Sequence, residues 1–359
     1  MSSLGGAGRA PAGAIGADPL PSPGRLRTPR LGTVRLCPEL PGDRAAPGRR
    51  ERNRMSLSVI RGTEQRSGVW SGSLLALGSS VAVGSAIAAT TALTTFPIMT
   101  GQAVRYGIAA ALMFLCFRRQ LPRVTRPQLV RIGVLGATGL AGFNICLILA
   151  LQRVDAGVVG AVVGAVPVVL ALFGPLMARR SPSARALLAA AIVTTGAVVV
   201  QWSGSADDPA GLLLAAGALA GECAFSLVAI PLVREIGAKA TATYAATAGA
   251  ILCGIVALVI DLPTLRLPTL PESAAIGYLA VVASAGAFLL WYAALDRIPV
   301  ETAGAFAGVV PVCALITGML LGVSQGSLVR FAGAGIVGVG VVLAARGPRQ
   351  PKRVPIDIT

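Results

Sequence analysis

Residues 132–168 read IGVLGATGLAGFNICLILALQRVDAGVVGAVVGAVPV, and residues 276–312 read IGYLAVVASAGAFLLWYAALDRIPVETAGAFAGVVPV, the same unit moved 144 places along the chain. Fourteen of the 37 positions are identical. Bias toward Ala, Val and Gly does not supply all of them, because Arg153 matches Arg297 and Pro167 matches Pro311. Each copy also carries a GxxxG three residues before that proline, Gly160/Gly164 in the first and Gly304/Gly308 in the second. A duplicated apolar unit of this kind predicts a membrane transporter assembled from two repeats.

Composition agrees. Hydrophobic residues make up 54% of the chain and charged residues only 13%, with a mean hydropathy of +0.75, outside the range of soluble domains. Ten apolar stretches follow residue 72, near 73–93, 100–117, 130–150, 157–177, 186–202, 211–232, 241–260, 274–294, 302–322 and 328–345. About 20 helical residues cross a hydrocarbon core of ~30 Å, where only internally hydrogen-bonded elements are tolerated. The expected fold is therefore all-α and polytopic, with ten transmembrane helices.

The tail at 1–71 is rich in Arg, Pro and Gly, holds 12 of the 31 Lys and Arg against five acids, and has no apolar period. It is expected to be disordered, because it buries too little apolar surface to offset the entropy of ordering. Three readings of it stand: a dispensable solvated tail, a basic segment on anionic lipid, or an extension upstream of a true start at Met55.

The basic residues predict orientation. With the N-terminus inside, the connections after the second, fourth, sixth and eighth stretches and the tail at 347–359 gather the Arg and Lys. Only Arg153, Arg266 and Arg330 fall outside, along with Asp207 and Asp208. Both termini are expected in the cytoplasm. The repeats span 72–202 and 210–346, five helices each. Five is odd, so the second copy enters from the opposite side and the repeats are inverted about an axis in the membrane plane. Such a pair has two equivalent packings that open on opposite sides.

The stretches LILALQRVDAGVVGAVVGAVPV (147–168) and LLWYAALDRIPVETAGAFAGVVPV (289–312) resemble the ends of the two EamA repeats of the drug/metabolite transporter superfamily, and Val104-Arg105-Tyr106 is similar to the Arg-aromatic pair of its second helix. Two departures stand out. Val310 occupies a place where members often have Glu, and Ala178-Arg179 and Gly322-Val323 replace their Gly-Glu pairs. The resemblance implies efflux of small metabolites, amino acids or drugs, driven by an ion or substrate gradient.

Several chemistries are excluded. No GxxxxGK[ST] offers a nucleotide cradle, and the chain has no histidine, which removes His-based metal sites and triads. The six cysteines show no CxxC spacing. No metal, cofactor or nucleic acid is expected. A small-molecule substrate and the lipid bilayer are, and a homodimer is one arrangement open to the chain.

Ionisable residues inside apolar spans are costly, about 2.5–3.5 kcal/mol each at the midplane by insertion scales, so they mark cavities or partners. Glu222, mid-way along the sixth stretch, reads as a proton carrier or cation contact, or else as the structural partner of Arg105 in the second. Asn144 reads as a substrate contact or an interhelical hydrogen bond. Trp291 and Tyr292 read as pathway residues or as membrane-interface aromatics. Gly160, Gly164, Pro167, Gly304, Gly308 and Pro311 read as packing and hinge points where the fourth and ninth helices meet. The expected function is secondary active export by alternating access, with the proton a candidate coupling ion, in the plasma membrane. A passive channel, a scaffold and an intramembrane enzyme are the alternatives.

Overall fold

The structure is a computed structural model that describes residues 69–86, 89–201, 208–322 and 325–346. The expectations for residues 1–68, Asp207, Val323 and the tail beyond Arg346 lie outside the described residues. Among the described residues all regular structure is helical. Ten helices among the described residues are long and apolar enough to cross a membrane: α1 (Val69–Ala86), α2 (Ile98–Phe117), α3 (Arg126–Leu151), α4 (Ala156–Met177), α5 (Ala184–Gln201), α6 (Pro209–Leu227), α7 (Ala229–Ile260), α8 (Leu270–Leu295), α9 (Val300–Leu320) and α10 (Leu328–Ala345).

Several helices begin outside their apolar stretches because polar caps start them. Thr125 and Gln128 form a capping box at α3, with Pro127 in the first turn; Thr269 and Glu272 do the same at α8. Each box satisfies two amide donors that helix geometry leaves free. At the other boundary that differs, Val228 is itself helical (φ −67, ψ −28), so α6 continues into the start of α7. The path breaks instead at Gly237 (φ 83, ψ 161), a conformation glycine adopts without a Cβ clash. That break falls between the sixth and seventh apolar stretches.

Polar contacts between connections sort into two sets. At one end Arg131 pairs with Glu235 at 2.6 Å and Arg180 with Glu301 at 3.6 Å, while Lys239 donates to Gln120. At the other, Arg153 pairs with Asp208 and Arg266 with Glu272, and Thr100 donates twice to Asp261. The first set joins connections that follow even-numbered helices, and the second joins those that follow odd-numbered ones. Ten antiparallel passes give this partition.

Packing respects the duplication. The most extensive contacts pair α2 with α7 and α5 with α10, and α4 packs on α9; each is a helix against its own repeat-mate. The first helix of each repeat lies instead on the third helix of the other. Thus α6 packs along α3, and on α1 Ser79 donates to the Ala287 carbonyl of α8 at 2.9 Å. Gly72 abuts Arg297 and Ile298, while Gly211 abuts Arg153 and Val154, the same contact made twice.

Candidate functional site

Two local irregularities, each present in both repeats, shape the interior. In α3 the segment Ala137–Gly142 winds as a π-helix, and in α8 so does Leu279–Gly286. A Cβ on Gly142 would lie 2.7 Å from the Ala137 carbonyl oxygen, and one on Gly286 3.2 Å from that of Val281. The wide turns need a small residue there, and insertions of this type concentrate at functional sites. In α4 the regular helix stops after Val163 and resumes at Val166; in α9 it stops after Ala307 and resumes at Val310. Pro167 and Pro311 cause both breaks, since neither has an N–H for the carbonyl four residues back.

The breaks and the π turns border one cavity of about 390 Å³. Its walls come from α1, α2, α3, α4, α5, α6, α8 and α9. It reaches Thr90 and Gln201, at the end that carries the α1–α2 and α5–α6 connections. Toward the opposite end it stops at Trp291. There Trp291 Nε1 donates to Ser226 Oγ at 3.2 Å, and Phe225 sits between Phe288 (centroids 4.8 Å apart) and Tyr292 (5.1 Å). The Arg180–Glu301 pair lies beyond that plug.

The wall is mostly apolar, with Leu140, Phe143, Val166 and Leu279 among its residues. Arg105, Asn144, Glu222 and Trp291 border it, as do Gly160, Gly164, Pro167 and Pro311. Tyr292 does not; it is wholly buried behind Phe225. Gly304 seats Leu170 of α4, and Gly308 seats Val193 of α5, so these two glycines face helix neighbours. Trp291 (8% exposed) and Tyr292 (0%) are interior residues, which corrects the membrane-interface reading: the apolar stretch that ends near them is covered on that side by α6.

Arg105 and Glu222 are not ion-paired among the described residues. The guanidinium lies 4.6 Å above the Tyr106 ring, and its Nη2 donates to the Tyr106 hydroxyl at 3.1 Å. Asn144 Nδ2 donates to the same oxygen at 3.2 Å and to the Leu140 carbonyl at 2.7 Å. Asn144 thus joins α3 to α2 and also borders the cavity. Tyr106, 2% exposed and noted in the sequence only beside Arg105, and Gln102, whose Oε1 is buried without a partner among the described residues, were not singled out as site residues by a reading aimed at charges. A polar side chain within an apolar span is the signal that would have found both.

The model of the EamA-like transporter family matches the chain twice, over residues 70–202 and 209–346. A relative from Bacillus subtilis (strain 168), described as the uncharacterized transporter YetK, is 23% identical over 269 residues, which cover 72% of this chain and 82% of the relative. A solved crystal structure of another protein shares the fold with a TM-score of 0.68 at 19% identity, over 76% of this chain and 96% of its own.

Proposed function

The chain belongs to the EamA-like transporter family of multi-pass membrane proteins, and on that premise we propose that it is a secondary active exporter of small metabolites, working by alternating access and not by enzymatic chemistry. One observation carries this reading: the cavity lies between the symmetric breaks of α4 and α9, with a lining that reaches Thr90 and Gln201 at one end of the bundle and stops at Trp291 toward the other, which we read as an open and a sealed end. Because the repeats are inverted, exchanging their local conformations seals the open end and opens the sealed one. At about 390 Å³ the cavity is at the small end of ligand sites, which favours metabolites over bulky drugs.

The excess of arginine and lysine in the connections at the Arg131–Glu235 end supports reading that end as cytoplasmic and the cavity mouth as facing out of the plasma membrane. Glu222, the one carboxylate on the cavity wall, has no hydrogen-bond or ion-pair partner among the described residues and is the group we assign to carry a coupling proton. The test is flux from proteoliposomes loaded with a metabolite panel under an imposed proton gradient. Saturable, gradient-dependent flux supports secondary transport. Non-saturating flux indicates a channel instead, and covalent change of a solute indicates an enzyme.

A further inference from the structure

We propose that Arg105 and Tyr106 form an anion subsite, so that the transported solute carries a single carboxylate; this rests on the transporter reading above and adds its substrate class. The evidence is an inventory of donors. A guanidinium has five N–H donors, and among the described residues Arg105 makes one hydrogen bond, from Nη2 to Tyr106. Its Nε is buried and has no partner, and no carboxylate is ion-paired with it among the described residues. The Tyr106 oxygen accepts from both Arg105 and Asn144, and its own hydrogen meets no acceptor among the described residues. Arg105 and Tyr106 both border the cavity. Two residues with unspent donors therefore border one space, and the side chains that hold them there are already in place.

That arrangement is a receptor prepared in advance. Stacking on Tyr106 fixes the plane of the guanidinium, and Asn144 fixes Tyr106 through a bond to the α3 backbone. A planar fork of N–H groups matches a carboxylate in two-point contact. Leaving such a group unpaired in a largely apolar cavity costs free energy that a bound anion offsets. Charge chooses between anions. One guanidinium balances one negative charge, whereas a phosphate dianion would keep an uncompensated charge in an apolar wall that also holds Glu222. A monocarboxylate, amino acids included, is the class that fits.

The experiment uses the full chain in lipid nanodiscs and reads binding by calorimetry and thermal shift. The probes are L-leucine, L-phenylalanine, 4-methylpentanoate and L-lactate, each beside its carboxamide. At least one acid should bind ten-fold or more tightly than its amide. Arg105→Gln should erase that preference and Arg105→Lys should retain part of it, with Tyr106→Phe weakening the acid several-fold and leaving the amide unchanged. Equal binding of acid and amide, no binding of any acid, or a preference that survives Arg105→Gln in a folded variant overturns the subsite. The two readings fail separately. Gradient-driven flux of a solute without a carboxylate would sink the subsite and leave the transporter standing. Arg105-dependent binding of acids without flux of any panel member would do the reverse.

Discussion

Gly196 of α5 and Gly333 of α10 meet backbone to backbone: a Cβ on Gly196 would lie 2.7 Å from the Gly333 carbonyl oxygen, and one on Gly333 2.9 Å from that of Gly196. The 144-residue shift carries Gly196 to Gly340 and Ala189 to Gly333, and a Cβ on Gly340 would in turn lie 3.0 Å from the Ala189 carbonyl oxygen. The last helices of the two repeats therefore share one contact, made twice. In hydrocarbon, where apolar area gives helices little reason to associate, such close approach supplies the dispersion contacts that hold them together.

Gly333→Val should accordingly force α5 and α10 apart and cost about 1–3 kcal/mol, the usual range for overpacking. Gly335→Val is the control, because nothing lies within 4 Å of a Cβ there. Thermal unfolding of both variants in one detergent checks the pair. Equal loss of Tm would contradict the contact.

Arg179 ends α4 at φ 53, the left-handed region that costs an L-residue roughly 1–2 kcal/mol and that helix C-termini normally give to glycine. The equivalent end of α9 does so at Gly322, φ 70. Arg179→Gly should therefore raise stability by about 1 kcal/mol. An unchanged or lowered Tm would show that the arginine side chain contributes more than its backbone strain removes.

Asp208 caps α6: its carboxylate accepts from the Ala210 amide at 2.9 Å and pairs with Arg153 at 3.3 Å. The amide bond first, then the arginine, hold its pKa below the usual 3.8. A depressed folded-state pKa means stabilisation that is present above the ordinary value and lost as pH falls through the lowered one. Asp208→Ala should thus lower Tm at neutral pH, with the gap narrowing below about pH 4. Asp208→Asn, which keeps a capping oxygen, should recover most of the loss. A gap that widens in acid would contradict the assignment.

Glu222→Gln should fold and still exchange substrate across the membrane, yet lose the pH dependence of uphill transport. The amide keeps the shape of the side chain but cannot release a proton. Counterflow and gradient-driven uptake measured on the same proteoliposomes separate the two activities. Intact pH dependence in an active variant removes Glu222 from the coupling step.

The ten spans and their repeat were legible because the decisive signals are local: apolar runs of membrane length, arginines in alternate connections, and Arg153/Arg297 and Pro167/Pro311 in register. The π turns were not foreseen, although the repeated Ala-Gly pairs at 141–142 and 285–286 mark their ends. Helical periodicity alone does not separate a π turn from an α turn over one turn. Glu222 and Arg105 were found by their charge in an apolar setting, but whether they pair depends on side-chain direction. Tyr106 decides it by offering Arg105 a ring and a hydroxyl one residue away. For Trp291 and Tyr292 the sequence left pathway and membrane-interface readings open, because position in the span does not show the α6 side chains that cover them.

The central claim is that the two ends of the bundle open in alternation. Spin labels at Ser181 and Arg297 report on the sealed end, beside the Arg180–Glu301 pair, and labels at Thr94 and Gln152 on the open one; all four positions are exposed. Double electron–electron resonance on the two label pairs should give distances that move in opposite senses. Glu301→Gln, which removes the carboxylate charge paired with Arg180, should lengthen the Ser181–Arg297 distance and shorten the Thr94–Gln152 distance. Distances that stay fixed, or ends that widen together, across pH and in Glu301→Gln would contradict alternating access in this protein.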